Sequence, residues 1–407
     1  MALPPILDVF VIWHPDDPLG AQALKWLSEH FHGAAFAGLA GGAVEVYGRS
    51  VGWAAPGSAP RSLGLDEKLA GVLPPAQFNA IIPVLSTSMA RAYRDDASWK
   101  TFIDDVVSFE DRGGVGIYPL RDPESDITNS LLAQAIDPDQ ALPRSAASSA
   151  AELGREVSQA IAQRVGKDAG LDDRIRVFIS HTKHDSLQEE DKDGPALFES
   201  VRDVVAKTTR LAAFFDAQDL QSGSKWKQEL DDNAANCALL MVRTDKYSSR
   251  EWTQREVLAA KSHDVPIVEM YAFSAGEERG SFLMDHVPSV PCNVKEPHAD
   301  IKVALGRLVD EALKRALWIA QTTYLQNDGF DWTPVHSPEP VTLVPWLAAN
   351  KPSGLGGRHL WIIHPDPPLG PKELDVVIEL CALAGFTDNV DVLTPRTFAA
   401  RGGRLTR

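Results

Sequence analysis

The hydrophobic pattern of the chain alternates between short apolar runs and stretches with helical spacing. The segment VFVIWHPDDPLG, residues 9–20, is an apolar run that ends in a polar loop, and a helical pattern follows from Ala21 to His30. A second apolar run covers residues 80–89, a helical pattern follows around Trp99 to Phe109, and residues 113–120 indicate a further strand. This order is typical of doubly wound α/β domains, so residues 1–140 are predicted to form one.

A related pattern occurs near the end of the chain. The segment LWIIHPDPPLG, residues 360–370, resembles the first segment, and a helical pattern again follows, from Pro371 to Ala384. The match suggests duplicated units. Residues 357–407 are predicted to form a partial α/β unit that follows a proline-rich linker over residues 323–356.

The middle of the chain predicts a complete α/β domain over residues 173–322. Apolar runs alternate there with helical stretches, which favours a parallel sheet with right-handed crossovers. Residues 141–172 are predicted to be a linker and a helix, with the helix from Ala151 to Val165. The predicted strands of the domain are 176–179, 211–215, 238–242 and 265–270, and its predicted helices are 195–207, 224–235, 249–262 and 301–320.

Composition narrows the class of protein. Forty basic and 56 acidic side chains among 407 residues give a net charge of −16, which argues against binding to nucleic acid or to an anionic membrane. Three widely spaced cysteines argue against a disulfide framework and a cysteine-rich metal site. No signal peptide or membrane span is evident in the sequence, so we expect a cytoplasmic protein.

The segment TDKYSSREWTQREVLAAKS, residues 244–262, contains the most informative side chains. Ser248 and Glu251 have the spacing of a capping box, which predicts a helix that begins at about Ser249. Trp252 and Glu256 then lie one turn apart on one face of that helix.

Four motifs in the central domain together resemble the TIR (Toll/interleukin-1 receptor) family of bacteria and plants. They are a first strand ending in VFISH, an Asp and Gly loop in FFDAQDLQSG, an apolar third strand, and the segment TDKYSSREWTQRE. The family pattern in the last segment is Ser-x-x-Tyr-x-x-Ser-x-Trp with a Glu four residues after the Trp; here Thr244 replaces the first Ser. The resemblance implies a flavodoxin-like doubly wound parallel sheet, with TIR-like units on either side.

The resemblance also implies an enzyme, an NAD⁺ nucleosidase that hydrolyses or cyclises NAD⁺ at the nicotinamide–ribose bond. Nicotinamide leaves from a cationic pyridinium as a neutral molecule, so the reaction needs no general acid, in contrast to ordinary glycoside hydrolysis. One carboxylate that stabilises the ribosyl cation is enough, and by position it is Glu256. NAD⁺ is the substrate, and no cofactor or metal is expected.

By the same resemblance, substrate contacts come from three places. Trp252 would form an aromatic wall beside the ribose or pyridinium. The first motif contributes Phe178, Ser180 and His181, and the loop after the second strand contributes Asp216, Asp219 and Gly223.

Simpler roles stay open for each of these residues. Glu256 is also explained as a solvated helix residue, Trp252 as a core anchor, and the Asp and Gly positions as turn residues. His181 and His184 have H-x-x-H spacing without a third ligand, which disfavours a metal site. Ser180 and His181 are neighbours on a strand and point apart, so they do not indicate a nucleophile with its base.

In the first domain, the segment VLSTSMARAYRDDASWKTFIDDV mimics the third strand and Trp helix of the central domain. Ile103 stands four residues after Trp99, and Asp104 lies on a different face of the helix. An apolar side chain cannot stabilise a cation, so this domain is predicted to be an inactive TIR-like unit for sensing or assembly.

The leading hypothesis is therefore an NAD⁺ hydrolase or cyclase in bacterial anti-phage immunity, acting by NAD⁺ depletion or by a nucleotide signal. The TIR resemblance implies a homo-oligomer in the active state. A non-catalytic TIR scaffold that binds proteins is the alternative, and a nucleoside deoxyribosyltransferase, which also relies on one Glu, fits the order of the motifs less well. Both a linear and a cyclic product are compatible with the sequence.

Overall fold

The computed structural model shows an α/β protein with parallel sheets. Every strand pair among the described residues is parallel. No helix among the described residues combines the length and apolar character required to cross a bilayer. The structure describes residues 6–33, 35–36, 44–52, 57–65, 76–110, 112–168, 174–182, 193–214, 234–277, 279–327, 339–350, 360–365, 368–386 and 390–401.

The first sheet has the strand order β2-β1-β3-β4, and β5 continues the pairing along β3. Every residue of β1 and β3 is buried, because helices cover both faces of these two strands. The edge strand β2 carries polar residues, and no strand was predicted there. The elements are β1 (Leu7–Ile12), α1 (Pro18–Phe31), β2 (Val44–Arg49), β3 (Phe78–Leu85), α2 (Thr87–Asp95), α3 (Ala97–Val107), β4 (Val115–Ile117), β5 (Leu120–Arg121) and α4 (Leu131–Ala135).

The central sheet has the order β6-β7-β8-β9 in the described part of the chain. Helix α5 (Ala150–Asp168) precedes it, and a long helix, α9, closes it. The elements are β6 (Arg176–His181), α6 (Asp193–Lys207), α7 (Thr209–Phe214), β7 (Cys237–Arg243), α8 (Glu251–Ser262), β8 (Ile267–Tyr271), β9 (Ser289–Pro291) and α9 (Pro297–Asn327).

The strand predicted over residues 211–215 is wrong, because residues 211–214 lie in α7. The apolar run is too short to separate a strand from a helix by pattern alone. Its Leu and Ala residues are good helix formers, and the buried Leu211 belongs to the same core as α6. Residue 215 and most of the predicted helix 224–235 lie outside the described residues.

In the described part of the last unit, β10 and β11 form a parallel pair that helices accompany. Part of the segment predicted to be linker is helical, because Leu343 and Leu347 are spaced one turn apart and are both buried. The elements are α10 (Pro340–Ala349), β10 (Leu360–Ile363), α11 (Pro371–Leu383), β11 (Val390–Leu393) and α12 (Pro395–Ala400).

One hydrophobic core connects the first two sheets. Helix α5 packs against both α1 and α9, and buried residues of all three helices belong to one cluster with strands β1 and β7. A polar contact lies in the same place: His30 Nε2 is 2.9 Å from Ser158 Oγ and 3.3 Å from Asp310 Oδ1. The helix predicted from Ala151 to Val165 is therefore part of the core and lies between the two sheets.

Candidate functional site

The candidate site lies at the carboxyl end of the central sheet, under helix α8. Ser180 is the fifth residue of β6, and Glu256 is on the second turn of α8. Tyr247 begins a 3₁₀ turn, Tyr247–Ser249, that connects the end of β7 to α8. Ligands of open parallel sheets bind at this edge, where the strands end.

A chain of two hydrogen bonds orients the Glu256 carboxylate. Ser180 Oγ donates to Glu256 Oε2 at 2.6 Å. Tyr247 Oη donates to Ser180 Oγ, also at 2.6 Å. A serine hydroxyl has a single hydrogen, so the bond accepted from Tyr247 leaves that hydrogen for Glu256. The pair of hydroxyls therefore holds one carboxylate oxygen and leaves the other for different partners.

Burial keeps the phenol of Tyr247 in its donor form. The side chain is fully buried. Burial is the largest effect and raises the pKa of Tyr247; the Ser180 hydrogen bond opposes it, and the charges of Glu256 and Glu269 raise the pKa by smaller amounts against that of Arg243. Ser180 is only 3% exposed, whereas Glu256 is half-buried. The carboxylate is thus more accessible than the serine that holds it, which assigns Ser180 an orienting role.

The turn before α8 is fastened by side chains of the helix itself. Thr253 Oγ1 donates to the Tyr247 carbonyl at 2.6 Å, and Gln254 Nε2 donates to the Ser248 carbonyl at 2.8 Å. These bonds couple the position of Tyr247 to the first turn of α8.

The predicted capping box of Ser248 and Glu251 does not form. Helix α8 begins at Glu251, its N-cap residue is Arg250, and no side-chain cap bond is present. Ser248 lies in the 3₁₀ turn, and its hydroxyl donates to the Arg279 carbonyl at 2.5 Å. Glu251 pairs with Arg255 on the solvent side of the helix. The spacing is right for a cap, but the extra turn uses the serine elsewhere.

Trp252 is half-buried on the same face of α8 as Glu256. The guanidinium carbon of Arg250 lies 5.6 Å from the centroid of its ring, so a cation already stands over the indole. Its Nε1 is buried and has no hydrogen-bond partner in the part of the chain that the structure describes. A role as an aromatic wall for the substrate stays a prediction.

The structure separates the residues of the first motif by strand alternation. Phe178 packs against the apolar cluster under α8, two residues from Ser180 on the same face of β6. His181 projects from the opposite face, where its ring stacks on Phe198 of α6 with centroids 4.6 Å apart. Its Nδ1 lies 2.8 Å from the Thr182 carbonyl oxygen. Ser180 is therefore brought to Glu256, and His181 is not.

The second predicted motif cannot be placed in the site. Asp216, Asp219 and Gly223 lie outside the described residues, as does His184. Their predicted contacts with substrate stay predictions. Within the described ranges, no group of three or more His, Cys, Asp or Glu side chains is placed to hold a metal ion.

Several polar residues of the site edge were not predicted. Tyr247 and Thr244 both stand at positions of the quoted TIR pattern, which is the sequence signal for them. Thr182 and Thr244 are buried where β6 and β7 end, with their hydroxyl oxygens 3.1 Å apart. They tie the two strand ends together beside Ser180.

A second carboxylate lies near Tyr247 but is neutralised. Arg243 Nη1 donates to Glu269 at 2.9 Å, and the same guanidinium holds Glu277 through Nε at 2.8 Å and Nη2 at 2.6 Å. Burial raises the pKa of Glu269, against the opposing charge of Arg243. The hydrogen bond with Glu277 is the main cause that raises the pKa of Arg243. This network of Arg243, Glu269 and Glu277 is structural in character.

The loop after β8 is fixed next to this network by one carboxylate. Asp245 accepts hydrogen bonds from the backbone nitrogens of Ser274, Ala275 and Gly276 at 2.9, 2.8 and 3.3 Å. Gly276 has φ +95°, a conformation that favours glycine. The loop is therefore ordered by the residues that follow β7.

The corresponding helix of the first domain presents a different surface. Trp99 and Ile103 of α3 are fully buried in the core of that domain. Asp104 faces elsewhere and accepts hydrogen bonds from Tyr93 Oη and Lys100 Nζ, both at 2.7 Å. The position four residues after the tryptophan is thus used for packing.

Comparison with known proteins adds little to this description. The chain matches no model of a protein family, and it matches no curated protein. Among solved structures, it is similar to the tagatose-6-phosphate ketose/aldose isomerase from Escherichia coli, with 12% sequence identity, a TM-score of 0.21, and coverage of 78% of this chain and 83% of that chain. A similarity at this level carries no argument about fold or activity.

Proposed function

We propose that the chain is an NAD⁺ nucleosidase that cleaves the nicotinamide–ribose bond in its central, TIR-like domain. The observation that supports this most is the hydrogen-bond chain from Tyr247 through Ser180 to Glu256. It holds one half-buried carboxylate at the edge of the sheet where ligands of such folds bind. A merely solvated helix glutamate would not need two buried hydroxyls behind it.

In the proposed reaction, the Glu256 carboxylate is the main catalytic group of the protein. The bond between ribose C1′ and the pyridinium nitrogen breaks, and its electron pair neutralises the nitrogen. Positive charge develops on the ribose, and Glu256 stabilises it electrostatically. Water adds to C1′ and loses a proton, which gives ADP-ribose, nicotinamide and one proton. Attack by a nucleophile of the same molecule in place of water gives the cyclic product.

The carboxylate must be ionised and correctly aimed for this role. The Ser180 hydroxyl stabilises its charged form, since a hydrogen bond donated to a carboxylate favours ionisation. The bond also takes up one oxygen, which limits rotation of the carboxylate about its side-chain axis. In a bacterial cell, the activity would lower NAD⁺ or make a nucleotide signal during phage infection, and TIR–TIR contacts in a homo-oligomer would accompany activation.

Chromatography of NAD⁺ incubated with the full chain at high concentration tests the proposal. We expect free nicotinamide and one equivalent of a linear or cyclic ADP-ribose product. The Glu256→Ala variant should lose at least about 100-fold of this turnover, the scale of removing one group that stabilises transition-state charge. Its circular dichroism spectrum should match that of the wild type. Intact NAD⁺ at all concentrations, with self-association or protein binding retained, would favour the scaffold.

A further inference from the structure

The last unit repeats the first strand–helix–strand unit of the chain at an offset of 350 residues. Each copy has two parallel strands joined by one crossover helix, which is α1 in the first copy and α11 in the last. Leu27 of α1 corresponds to Val377 of α11, and both side chains are buried in the core of their own unit. Phe31 corresponds in the same way to Cys381. The two helices therefore pack on their sheets through the same positions.

In the first copy, helix α5 covers the side of α1 that carries Trp26 and His30. His30 Nε2 lies 2.9 Å from Ser158 Oγ, and Trp26 is partly buried against the shared core. A Cβ on Gly154 would lie 2.6 Å from His30 Nδ1, so α5 comes this close because residue 154 has no side chain. Small residues recur at every fourth position of α5 and share one face: Ala150, Gly154, Ser158 and Ala162.

The same side of α11 is open to solvent. Val376 stands at the position of Trp26, and Leu380 at that of His30. With Leu383 they have the spacing i, i+4, i+7 and form one apolar surface, the α11 stripe. Val376 is 47% exposed and Leu383 is 80% exposed, whereas Leu380 is half-buried. The last unit thus presents to water the side that a helix covers in the first unit, and a docked helix would gain the burial of this stripe.

The charge beside the α11 stripe is negative. By helix geometry, Glu373 and Glu379 flank it on either side, and within the described ranges neither takes part in an ion pair. The ammonium of Lys372 lies nearby, but it pairs with Asp375 at 3.0 Å. A partner that covers the stripe therefore needs basic residues at its edges. A second copy docked stripe to stripe would bring like charges together, so the chain itself does not fit as the partner.

We propose that the α11 stripe binds an α-helix of a partner protein that has small or apolar residues on its contact face and basic residues at the edges of that face. The seating of α5 on α1 supports the helical form, since the same positions of the repeated unit make that contact. The flanking carboxylates Glu373 and Glu379 support the basic edges. This surface does not depend on the proposed NAD⁺ cleavage and gives the last unit a binding function of its own.

Fluorescence anisotropy of labelled peptides titrated with the full chain tests the proposal. The basic peptide is the α5 sequence, residues 149–168, in which Glu152→Gln and Glu156→Gln remove the ionic partners of Arg155. It keeps the small-residue face, with Arg155 and Arg164 at its two edges. The acidic control peptide carries Arg155→Glu and Arg164→Glu in addition.

We expect saturable binding of the basic peptide with one site per chain, and binding of the acidic peptide that is at least about tenfold weaker. The absence of saturable binding of the basic peptide would overturn the proposal. Equal affinities of the two peptides would overturn the assignment of a partner with basic edges.

Variants of exposed apolar residues assign the binding to the α11 stripe. Val376→Gln and Leu383→Gln should each weaken binding of the basic peptide at least about tenfold, because the contact loses its apolar surface. Ile378→Gln is the control, since Ile378 is 41% exposed on the opposite side of α11, and it should leave the affinity unchanged. Affinities that are unchanged in both stripe variants, or reduced equally in Ile378→Gln, would contradict docking on this stripe.

A charge reversal beside the stripe separates local recognition from attraction by the net charge of −16. Glu379→Lys should weaken binding of the basic peptide and strengthen that of the acidic peptide, each at least about fivefold. Glu29→Lys makes the same change at the equivalent, exposed position of α1 and should alter neither affinity. Equal effects of the two substitutions would show that the peptides respond to the net charge alone and would overturn the proposal.

Discussion

At the scale of single residues, two hydroxyl groups decide how the Glu256 carboxylate is presented. Tyr247 is fully buried, and Ser180 is nearly so. Tyr247 donates its hydroxyl hydrogen to Ser180, and Ser180 donates its own to Glu256. Loss of the tyrosine hydroxyl would free the serine hydroxyl to rotate. The same loss would leave Ser180 without its donor in a buried place, where unsatisfied polar atoms are costly.

The Tyr247→Phe variant tests this arrangement. We expect nicotinamide release to fall about fivefold to tenfold and the free energy of unfolding to fall by about 1 kcal/mol, the usual scale of one buried hydrogen bond. Turnover assays and urea unfolding measure the two quantities. Tyr271→Phe, at the end of β8, is the control and should change neither. Full activity of Tyr247→Phe would show that the hydrogen bond from Tyr247 to Ser180 does not matter for catalysis.

Asp8 gives a pH dependence that belongs to the first domain. Burial raises its pKa to about 6, and Glu45 adds to this while Arg49 opposes it. The folded state therefore favours the protonated form, and the stability that this contributes is lost as pH rises from about 4 through about 6.

The Asp8→Asn variant should no longer lose stability as the pH rises from about 4 through about 6. We expect it to be more stable than the wild type at pH 8, by about 3 kcal/mol at most, and nearly equal to it at pH 4. Urea unfolding of both proteins at the two pH values gives the difference directly. A difference that is the same at both pH values would contradict a raised pKa of Asp8 in the folded chain.

The sequence predicts the central residues of the site better than its periphery. The TIR resemblance points to Glu256, Trp252 and Ser180, and helix spacing places Trp252 and Glu256 on one face, because one turn of helix is a local feature. The bond between Ser180 and Glu256 joins residues 76 positions apart, so only the assembled sheet reveals it. The resemblance implies a substrate contact for His181 as well as for Ser180, but the ring of His181 packs on Phe198, on the face of β6 opposite to Ser180.

At the scale of elements, helix α8 is fixed at both ends. Its first turn is bonded to the Tyr247 turn. Near its last turn, the nearly buried Lys261 donates from Nζ to the Asp285 carbonyl at 2.6 Å and to Glu339 Oε2 at 2.7 Å. Glu339 is the N-cap residue of α10, so this ion pair connects the last unit to the helix that carries Glu256.

Removal of the charge on Glu339 should loosen this connection. In Glu339→Gln, we expect the free energy of unfolding to fall by roughly 1–3 kcal/mol, because the buried ammonium of Lys261 loses its ionic partner. Hydrogen exchange of peptides covering α10 should accelerate, while exchange in β1 should not. Glu251→Gln on the exposed side of α8 is the control. Unchanged exchange in α10 would mean that the pair does not hold the two elements together.

The sequence predicts elements well where long apolar runs or long helical patterns occur. Strands β1, β3, β7 and β8 and helices α1, α5 and α8 occupy the predicted places within a few residues. Short segments are ambiguous, because a few apolar residues suit either a strand or a helix, as at residues 211–214. The abundant prolines of this segment suggest a linker, yet Pro340 is at the first turn of α10, where proline is tolerated, and the helix continues through Pro345 with Leu343 and Leu347 buried.

At the scale of the whole molecule, α5 joins the first two sheets into one core. Its buried residues, including Leu153, Val157 and Ile161, belong to the cluster that also contains Leu305 and Leu308 of α9. Each fully buried side chain of this kind contributes roughly 1.5–3 kcal/mol. The central domain therefore depends on a helix that precedes it in the chain.

Two fragments test this dependence. A fragment of residues 173–322 lacks α5, so the apolar face of α9 becomes exposed and we expect a low melting temperature and aggregation. A fragment of residues 150–322 retains α5 and should melt at a clearly higher temperature. Thermal unfolding followed by circular dichroism compares them. Equal melting temperatures would contradict a shared core.

Cleavage of NAD⁺ should depend on the Glu256 carboxylate itself. The most direct test is the rate of nicotinamide release by Glu256→Gln beside that of Glu251→Gln, a matched loss of one carboxylate on the same helix. We expect nicotinamide release to fall at least about 100-fold in the first variant and to stay at the wild-type rate in the second. Equal rates of nicotinamide release in the two variants would contradict it.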